Sequence, residues 1–465
     1  MRSMLLGAVL LYVLLLWAVG WFASRRSKSS EDYLVASRTF STPFVSALVA
    51  GTWIGGVSVV GMAQGAFLHG LSALWFQVGI WIAMCFTAAF LPSIIHGKKT
   101  YSILDVVARA YDERTARLAG LFQLIFSIWC VTMQIVGGGA ILSFILKDTI
   151  TFTEGMALTA LVFCLYNVLG GVVATAYTNL LHLFTIFLGV LTGGIYLLKQ
   201  GGGAVLLQGG LPSYYFEPLG DLGGATVLSW ILVNLTIGVL AQPVINAGAS
   251  AKDLHHGRWG ILIGNLLAIP IPVVAAFCGI LARYRYPDIA SVKALPVLLN
   301  ELPPLLAFLF LLGIWAPLMS SGSPFLMGAT TIVIRGYLVK GLPRLSDRQV
   351  LVVSRGVTLA LAALAFLLGS FVVEILRGIT EIAVLMTSIV TLVALGGLLK
   401  QPSRQGGLLA LLVSLGLLLL FLVTGWAKKV HPFWPVFLAT VLIVGVSTWL
   451  ERKKSASPRR KPELS

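Results

Sequence analysis

The nine residues Ala50-Gly51-Thr52-Trp53-Ile54-Gly55-Gly56-Val57-Ser58 hold the most informative chemistry in the chain. Three glycines, several β-branched residues and two hydroxyls make poor material for an unbroken helix. Glycine in an apolar helix also serves close packing, so a packing seam and an unwound point are both open readings. At an unwound point, carbonyls that have lost their helical donors can coordinate a cation, and freed N–H groups can face a solute. A second stretch, Trp315-Ala316-Pro317-Leu318-Met319-Ser320-Ser321-Gly322-Ser323-Pro324, sets three serines between two prolines that are expected to kink a helix. Those hydroxyls either bond back to their own helix or join stray carbonyls as oxygen ligands of a hard cation such as sodium. In a third stretch, Gly238 to Gly248, Pro243 marks a break, and Gln242 and Asn246, four apart, share one helix face.

These residues must be positioned by membrane helices. Of 465 residues, 58% are apolar and 11% charged, against about 25% charged in a soluble protein. The mean hydropathy is +0.94. This composition excludes a cytosolic enzyme, a nucleic-acid-binding module and a secreted disulfide scaffold. Cys85, Cys130, Cys164 and Cys278 stand alone in apolar runs without metal-ligand spacing, and they read as small core hydrophobes. No transition-metal site, cofactor site or catalytic cluster is expected.

A membrane helix needs about 20 apolar residues. Thirteen runs qualify: 4–23, 42–67, 71–95, 116–146, 155–172, 177–198, 224–248, 258–282, 303–335, 349–372, 374–399, 406–425 and 433–450. With the N-terminus outside, 23 of the 33 basic residues fall on the cytoplasmic side and 8 outside. The positive-inside rule therefore puts the N-terminus out and the C-terminus in. The net charge of +16 is thus mostly anchoring, and the basic tail, 451–465, reads as a solvated end near anionic headgroups. Both broken runs, the second and the seventh, open a five-helix half if 42–198 and 224–399 are two repeats. Paired breaks at corresponding positions mark an inverted-repeat transporter.

Four motifs, in order, resemble the sodium/solute symporter family, whose members include sodium–glucose, sodium–proline, pantothenate and choline transporters. They are Glu31–Arg38 (EDYLVASR), Thr52–Gly56 (TWIGG), Leu165–Thr178 (LYNVLGGVVATAYT) and Met319-Ser320-Ser321. The resemblance covers nearly the whole chain. It implies an all-α leucine-transporter-like fold of 5+5 inverted repeats, with one extra N-terminal helix (4–23) and two extra C-terminal helices (406–450). It also implies a sodium site made by the carbonyls of Gly51, Ile54 and Pro317 and the hydroxyls of Ser320 and Ser321. The family's acidic residue after the YT of span six is here Asn179, followed by His182 in place of a Gln, so one sodium rather than two is expected. Asn246-Ala247 and Arg335-Gly336-Tyr337 also depart from the family's pattern at gating positions.

TWIGG is closer to the choline-transporter branch than to the sugar branch. By that resemblance Trp53 and Trp129, with Trp81 nearby, would wall an aromatic cage for a quaternary ammonium. The same tryptophans also suit packing or the interfacial belt. Gln77, Gln134, Gln242 and Asn246 would instead read a zwitterion, an amide or a carboxylate.

The leading expectation is a sodium-coupled symporter of the cell membrane that imports a small organic solute. Its partners would be the solute, Na+ as coupling ion and the lipid bilayer, with no nucleic acid. A proton-coupled carrier needs a titratable group at mid-depth, and none is placed in the core helices from sequence; Glu374 and Glu381 read as interfacial. The remaining alternatives are a sodium-independent carrier and a solute-binding membrane sensor.

Overall fold

In hydrocarbon no water can satisfy backbone N–H and C=O groups, so apolar runs close their hydrogen bonds within helices. The computed structural model describes residues 2–98, 100–146, 149–203, 210–341, 345–371, 375–399, 401–426 and 430–456. Glu374 and the tail beyond 456 lie outside the described residues. Ten helices among the described residues are long and apolar enough to cross a membrane. The difference from the thirteen apolar runs is one of continuity. The 155–172 and 177–198 runs join in one apolar segment, Phe152–Gln200, and the first run survives as the shorter Val9–Ser24. The front of the second run is a 12-residue helix that ends at Trp53.

In chain order the first nine helices are α1 (Arg2–Ser24), α2 (Ser30–Val35), α3 (Thr42–Trp53), α4 (Met62–His69), α5 (Trp75–Lys98), α6 (Ile103–Ala110), α7 (Glu113–Ile145), α8 (Phe152–Ile186) and α9 (Thr192–Leu197). Then come α10 (Gly223–Leu240), α11 (Gln242–Ser250), α12 (Leu254–Ala268), α13 (Pro270–Arg285) and α14 (Pro304–Thr331). The last four are α15 (Asp347–Gly369), α16 (Ile375–Leu398), α17 (Arg404–Thr424) and α18 (Phe433–Ala456). Polar caps fix where several begin. Ser29, Thr151 and Ser346 each form a reciprocal capping box, with Asp32, Glu154 and Gln349.

The two broken helices pack reciprocally. The α3–α4 segment lies on α12 and α13, while α10 and α11 lie on α5. Helix α14 runs through the middle against α7 and α8, and every residue from Phe310 to Ile332 is buried. It is one continuous helix through Pro317 and Pro324 rather than a kinked one; each proline removes a single donor, a loss that membrane helices tolerate. Helix α8 kinks at Gly171, where φ is 59°. A Cβ there would lie 2.2 Å from the Tyr33 carbonyl oxygen, so only glycine lets α2 dock against the kink. Outward faces carry Leu10, Phe90, Phe184, Leu305, Leu367 and Val423, all more than half exposed, an apolar surface that suits lipid.

Candidate functional site

The helix of the second run contains Gly51 and stops at Trp53, just before Gly55 and Gly56. Ile54, just past α3, has φ −89° and ψ 80°, and a π-type turn over Val57–Gly61 restarts the helix before α4. The Gly55 N–H donates to Ser58 Oγ at 2.8 Å, and the Gly56 N–H donates to Gln134 Oε1 on α7 at 2.6 Å. The break is wholly buried, which fits the rule that irregular backbone at membrane depth lies inside protein or along a cavity. A Cβ on Gly55 would sit 2.5 Å from Ser321 Oγ, and one on Gly56 would sit 2.4 Å from Leu318 Cδ2. The glycines therefore serve both readings at once, unwinding the helix and letting α14 come close.

Helix α14 meets this break with its serines. Ser320 Oγ lies 3.0 Å from the Ile54 carbonyl and 3.0 Å from the Pro317 carbonyl. Ser321 Oγ donates to the Thr52 carbonyl at 2.8 Å. Ser320 and Ser321 are 0% and 2% exposed. Two hydroxyls and three carbonyls thus meet in a buried, uncharged cluster. A hydroxyl keeps acceptor lone pairs whichever way its hydrogen turns, so the same oxygens can present themselves to a hard cation. Four of the five residues expected at a cation site meet here: Ile54, Pro317, Ser320 and Ser321. Gly51 sits one residue before Thr52, with its Cα packed against Asn179.

Beside the oxygen cluster lies a narrow cavity, with room for only about 40 Å³ of water-sized contents in this conformation. Trp53, Phe76, Phe126 and Phe325 form its aromatic part. Trp53 and Phe126 each stand edge-on to Phe325, with ring centroids 6.4 and 6.1 Å away. Gln77, Gln134, Asn234 and Ser58 form its polar part, and Thr52 and Ser321 belong to both cavity and cluster. None of its described lining residues is charged. The Trp53 indole N–H and Asn234 Oδ1 are buried without hydrogen-bond partners among the described residues.

Trp53, Gln77 and Gln134 of the expected solute contacts line this cavity; Trp81, Trp129, Gln242 and Asn246 do not. The three-tryptophan cage is not assembled. Trp81 lies where α5 meets α12, with its carbonyl accepting from Asn265 at 3.0 Å. Trp129 lies on α7 one residue from Cys130, and it is Cys130 that reaches the cavity. Phenylalanines complete the aromatic wall instead. Gln242 and Asn246 share a face as expected, but that face belongs to a polar plug further along. Gln242 Nε2 donates to Asn246 Oδ1 and to the Tyr101 carbonyl, both at 2.8 Å, and Asn246 Nδ2 donates to Thr331 Oγ1 at 3.0 Å.

The plug continues outward. Arg335 pairs with Glu31 at 2.7 Å, the Tyr101 hydroxyl donates to Glu31 at 3.1 Å, and Arg38 and Arg335 each lie 5.0 Å from the Tyr101 ring centre. It ties α2, the 100–103 turn, α11 and the end of α14 together. Ala36, Ser37 and Arg38 hold φ values of 49°, 44° and 57°, at roughly 1–2 kcal/mol each for L-residues. Thr39 Oγ1, 2.9 Å from the Ala36 carbonyl, and the hydrogen bond from Ser37 Oγ to Asp32 hold this turn. Burial raises the Asp32 carboxyl, but the hydrogen bonds from Ser37, Ser29 and Lys28 outweigh it and keep its pKa below the usual value.

Behind the cluster, Asn179 Nδ2 donates to the Ala47 carbonyl at 3.3 Å, while its Oδ1 is buried without a partner among the described residues. His182 lies in a buried chain: Tyr12 hydroxyl to His182 Nδ1 at 2.6 Å, His182 Nε2 to Tyr166 hydroxyl at 3.4 Å, and Tyr166 to Ser323 Oγ at 2.5 Å. His182 is thus a histidine buried among the core helices. Asn234 was missed in the sequence reading. Its signal is an amide inside the otherwise apolar run of α10, the kind of polar residue that marks a site within a membrane. Phe76, Phe126 and Phe325 carry no such signal among 24 phenylalanines.

A family model described as the sodium:solute symporter family matches residues 33–414. The high affinity choline transporter 1 of Homo sapiens is 24% identical over 375 residues, 75% of this chain. The chain spans 64% of that relative's length. The osmoregulated proline transporter OpuE of Bacillus subtilis is 23% identical over 474 residues, 96% of this chain and 94% of that protein. The structure of a substrate-bound outward-open state of a Na+-coupled sialic acid symporter superposes with a TM-score of 0.81 at 16% identity, covering 96% of this chain and 98% of that one. The all-helical fold is that of the leucine-transporter-type carriers.

Proposed function

The chain belongs to the sodium:solute symporter family, a family of multi-pass membrane solute transporters, and from that premise we propose that it is a sodium-coupled symporter that imports a small organic solute by alternating access. The carrying observation is the contact of Ser320 and Ser321 with the carbonyls of Ile54, Pro317 and Thr52, beside a cavity without charged lining residues. Sodium would be held by Ile54, Pro317, Ser320 and Ser321, with the Gly51 carbonyl turning in as the fifth ligand. One sodium is transported per cycle, and Asn179 is the remnant of a second cation site. Each charge moved inward along a membrane potential releases about 2.3 kcal/mol per 100 mV.

The solute class follows from the cavity. An isolated buried cation would need a countercharge that the lining does not supply. A small zwitterion suits it better, its alkylammonium end on the faces of Trp53, Phe126 and Phe325 and its acceptor end on the Trp53 N–H. Each desolvated cation–π contact contributes on the order of 0.5–2 kcal/mol. Gln77, Gln134 and Asn234 complete the contacts, while Gln242 and Asn246 gate rather than bind.

The architecture we propose is thirteen membrane crossings: an extra N-terminal helix (4–23), two five-helix inverted repeats (42–198 and 224–399) and two C-terminal helices (406–450). The reciprocal packing of the two broken helices supports the repeat. The chain resides in the cell membrane with its N-terminus out and its C-terminus in, as the Lys and Arg distribution favours. A proton-coupled carrier is the second reading, favoured by the buried Tyr12–His182–Tyr166–Ser323 chain.

One experiment separates these readings: uptake of radiolabelled proline, betaine, choline, pantothenate, acetate and glucose into proteoliposomes under an inward sodium gradient or an inward proton gradient. Sodium-driven uptake of a zwitterion is expected. Uptake driven by protons alone, or indifferent to both gradients, contradicts sodium coupling.

A further inference from the structure

Four arginines from four different helices surround one cleft remote from the central cavity. Arg109 ends α6, Arg114 opens α7, Arg404 opens α17 and Arg452 lies in the last turns of α18. The cleft is open to solvent, with room for about 1160 Å³ of water-sized contents, and Asp112 and Glu451 are the acidic residues among its described lining. Both carboxylates have structural partners. Burial raises the Asp112 carboxyl, but the Thr115 hydrogen bonds, and then the charges of Arg114 and Arg404, bring its pKa below the usual value. Arg109 Nη1 donates to Thr100 Oγ1 at 2.9 Å. Asp112 caps α7, accepting from the Thr115 N–H at 2.8 Å, and Glu451 accepts from Ser403 Oγ at 2.5 Å. Ser403 in turn caps α17, accepting from the Gly406 N–H at 2.9 Å.

Among the described residues, the basic side chains lining this cleft are arginines. Planar guanidinium forks match phosphate oxygens two at a time, whereas an ammonium acts as a point charge. The first turn of α17, capped by the uncharged Ser403, adds a positive helix end to the same concavity. Apolar side chains flank the lining residues in sequence: Leu398, two residues after Gly396, is 79% exposed, and Trp449, next to Thr448, is 59% exposed. Lys453 lies 5.3 Å above the Trp449 ring. An aromatic and a cation at the edge of an apolar belt mark headgroup level.

We propose that this cleft binds a phosphate-bearing anion, with an anionic phospholipid headgroup as its source, the acyl chains lying along the exposed faces of α16 and α18. The lipid would tie the C-terminal helix pair to the start of α7, which also supplies Gln134 to the central site. Basic pockets between helices near the cytoplasmic face are established headgroup sites in membrane proteins generally.

The test is native mass spectrometry of the full chain titrated with phosphatidylglycerol or phosphatidylcholine, with glycerol 3-phosphate as competitor. Removing two arginines in Arg114→Gln/Arg404→Gln weakens phosphatidylglycerol binding about 25-fold, at about 1 kcal/mol per cation and 1.4 kcal/mol per tenfold. Arg114→Lys/Arg404→Lys, which keeps charge and folding, loses an intermediate amount. Lys252→Gln, an exposed charge outside the cleft, stays within about twofold of the parent because it leaves the cleft's field intact. Equal binding of phosphatidylcholine, unchanged binding by the Gln pair, or an equal loss in Lys252→Gln overturns the site. Full displacement by glycerol 3-phosphate overturns the lipid as the source and assigns a soluble phosphate ester.

Discussion

Ser321 Oγ sits 2.8 Å from the Thr52 carbonyl, and both residues line the central cavity. One contact therefore belongs at once to the oxygen cluster and to the solute pocket. Its neighbour Ser320 touches the Ile54 and Pro317 carbonyls and is absent from the described cavity lining. The two serines differ in what they can couple. Ser320→Ala is expected to raise the sodium half-saturation of uptake about tenfold, at about 1.4 kcal/mol for a lost ligand, with the solute half-saturation at saturating sodium nearly unchanged. Ser321→Ala is expected to raise both. Uptake kinetics on a sodium-by-solute grid reads the difference, and identical behaviour of the two variants contradicts the shared-wall geometry.

Gly55→Ala places a Cβ 2.5 Å from Ser321 Oγ and 3.2 Å from Gln134 Oε1. Overpacking of this kind costs about 1–3 kcal/mol. The expected result is a lower thermal midpoint in detergent together with lost uptake. Gly397→Ala, with open space around its Cα, serves as the control and keeps both.

Asn234 is the amide that sequence reading passed over. Asn234→Leu removes the unpartnered Oδ1 and is expected to weaken solute binding by about tenfold or more, the discrimination that a buried polar contact supplies. Sodium binding measured without solute stays at the parent level. A solute affinity that survives the change removes Asn234 from the contact set.

The Glu31–Arg335 pair holds the polar plug, and Cys130 in the cavity reports access. In a Cys85→Ser background, which removes the exposed thiol, Arg335→Gln or Glu31→Gln is expected to speed maleimide labelling of Cys130. The coupling in a double-mutant cycle is about 0.2–1 kcal/mol, since both side chains are partly solvated. Equal labelling rates in all four combinations contradict a gating role.

His431, in the turn before α18, has its imidazole pushed down to about 4 by burial, with Nδ1 accepting from the Phe433 N–H at 3.2 Å. The unfolded chain then binds the extra proton first. Stability from this group is intact above about pH 6.5 and falls as pH drops from there towards 4, by at most about 3 kcal/mol. His431→Asn, which can still accept from the backbone, is expected to flatten the thermal midpoint against pH in that window. A parent-like slope contradicts the assignment.

The sequence carried the skeleton of this site because its signals are backbone signals. Glycines at 51, 55 and 56 announce an unwound helix, Pro243 announces the second break, and paired serines beside Pro317 announce oxygen ligands. Ile54, Pro317, Ser320 and Ser321 accordingly meet in space. The cavity wall was less legible, since a phenylalanine that faces solute and one that faces lipid are the same residue. Trp81 and Trp129 lie in the right helices, but facing is set by helix rotation, which packing decides. Gln242 and Asn246 share a face as spacing requires; that this face meets Tyr101 rather than the cavity depends on where the 100–103 turn docks. His182 showed as a departure from a family pattern, and only its neighbours Tyr12, Tyr166 and Ser323 place it in a buried chain.

The central claim is that the cluster at the helix break is the sodium site. Equilibrium binding of radioactive sodium to the purified chain, without solute, tests it most directly in the parent and in Ser320→Ala/Ser321→Ala. The account predicts one sodium per chain in the parent and none at the same concentration in the double variant, with the variant still folded by circular dichroism. Undiminished sodium binding in the folded double variant would contradict it.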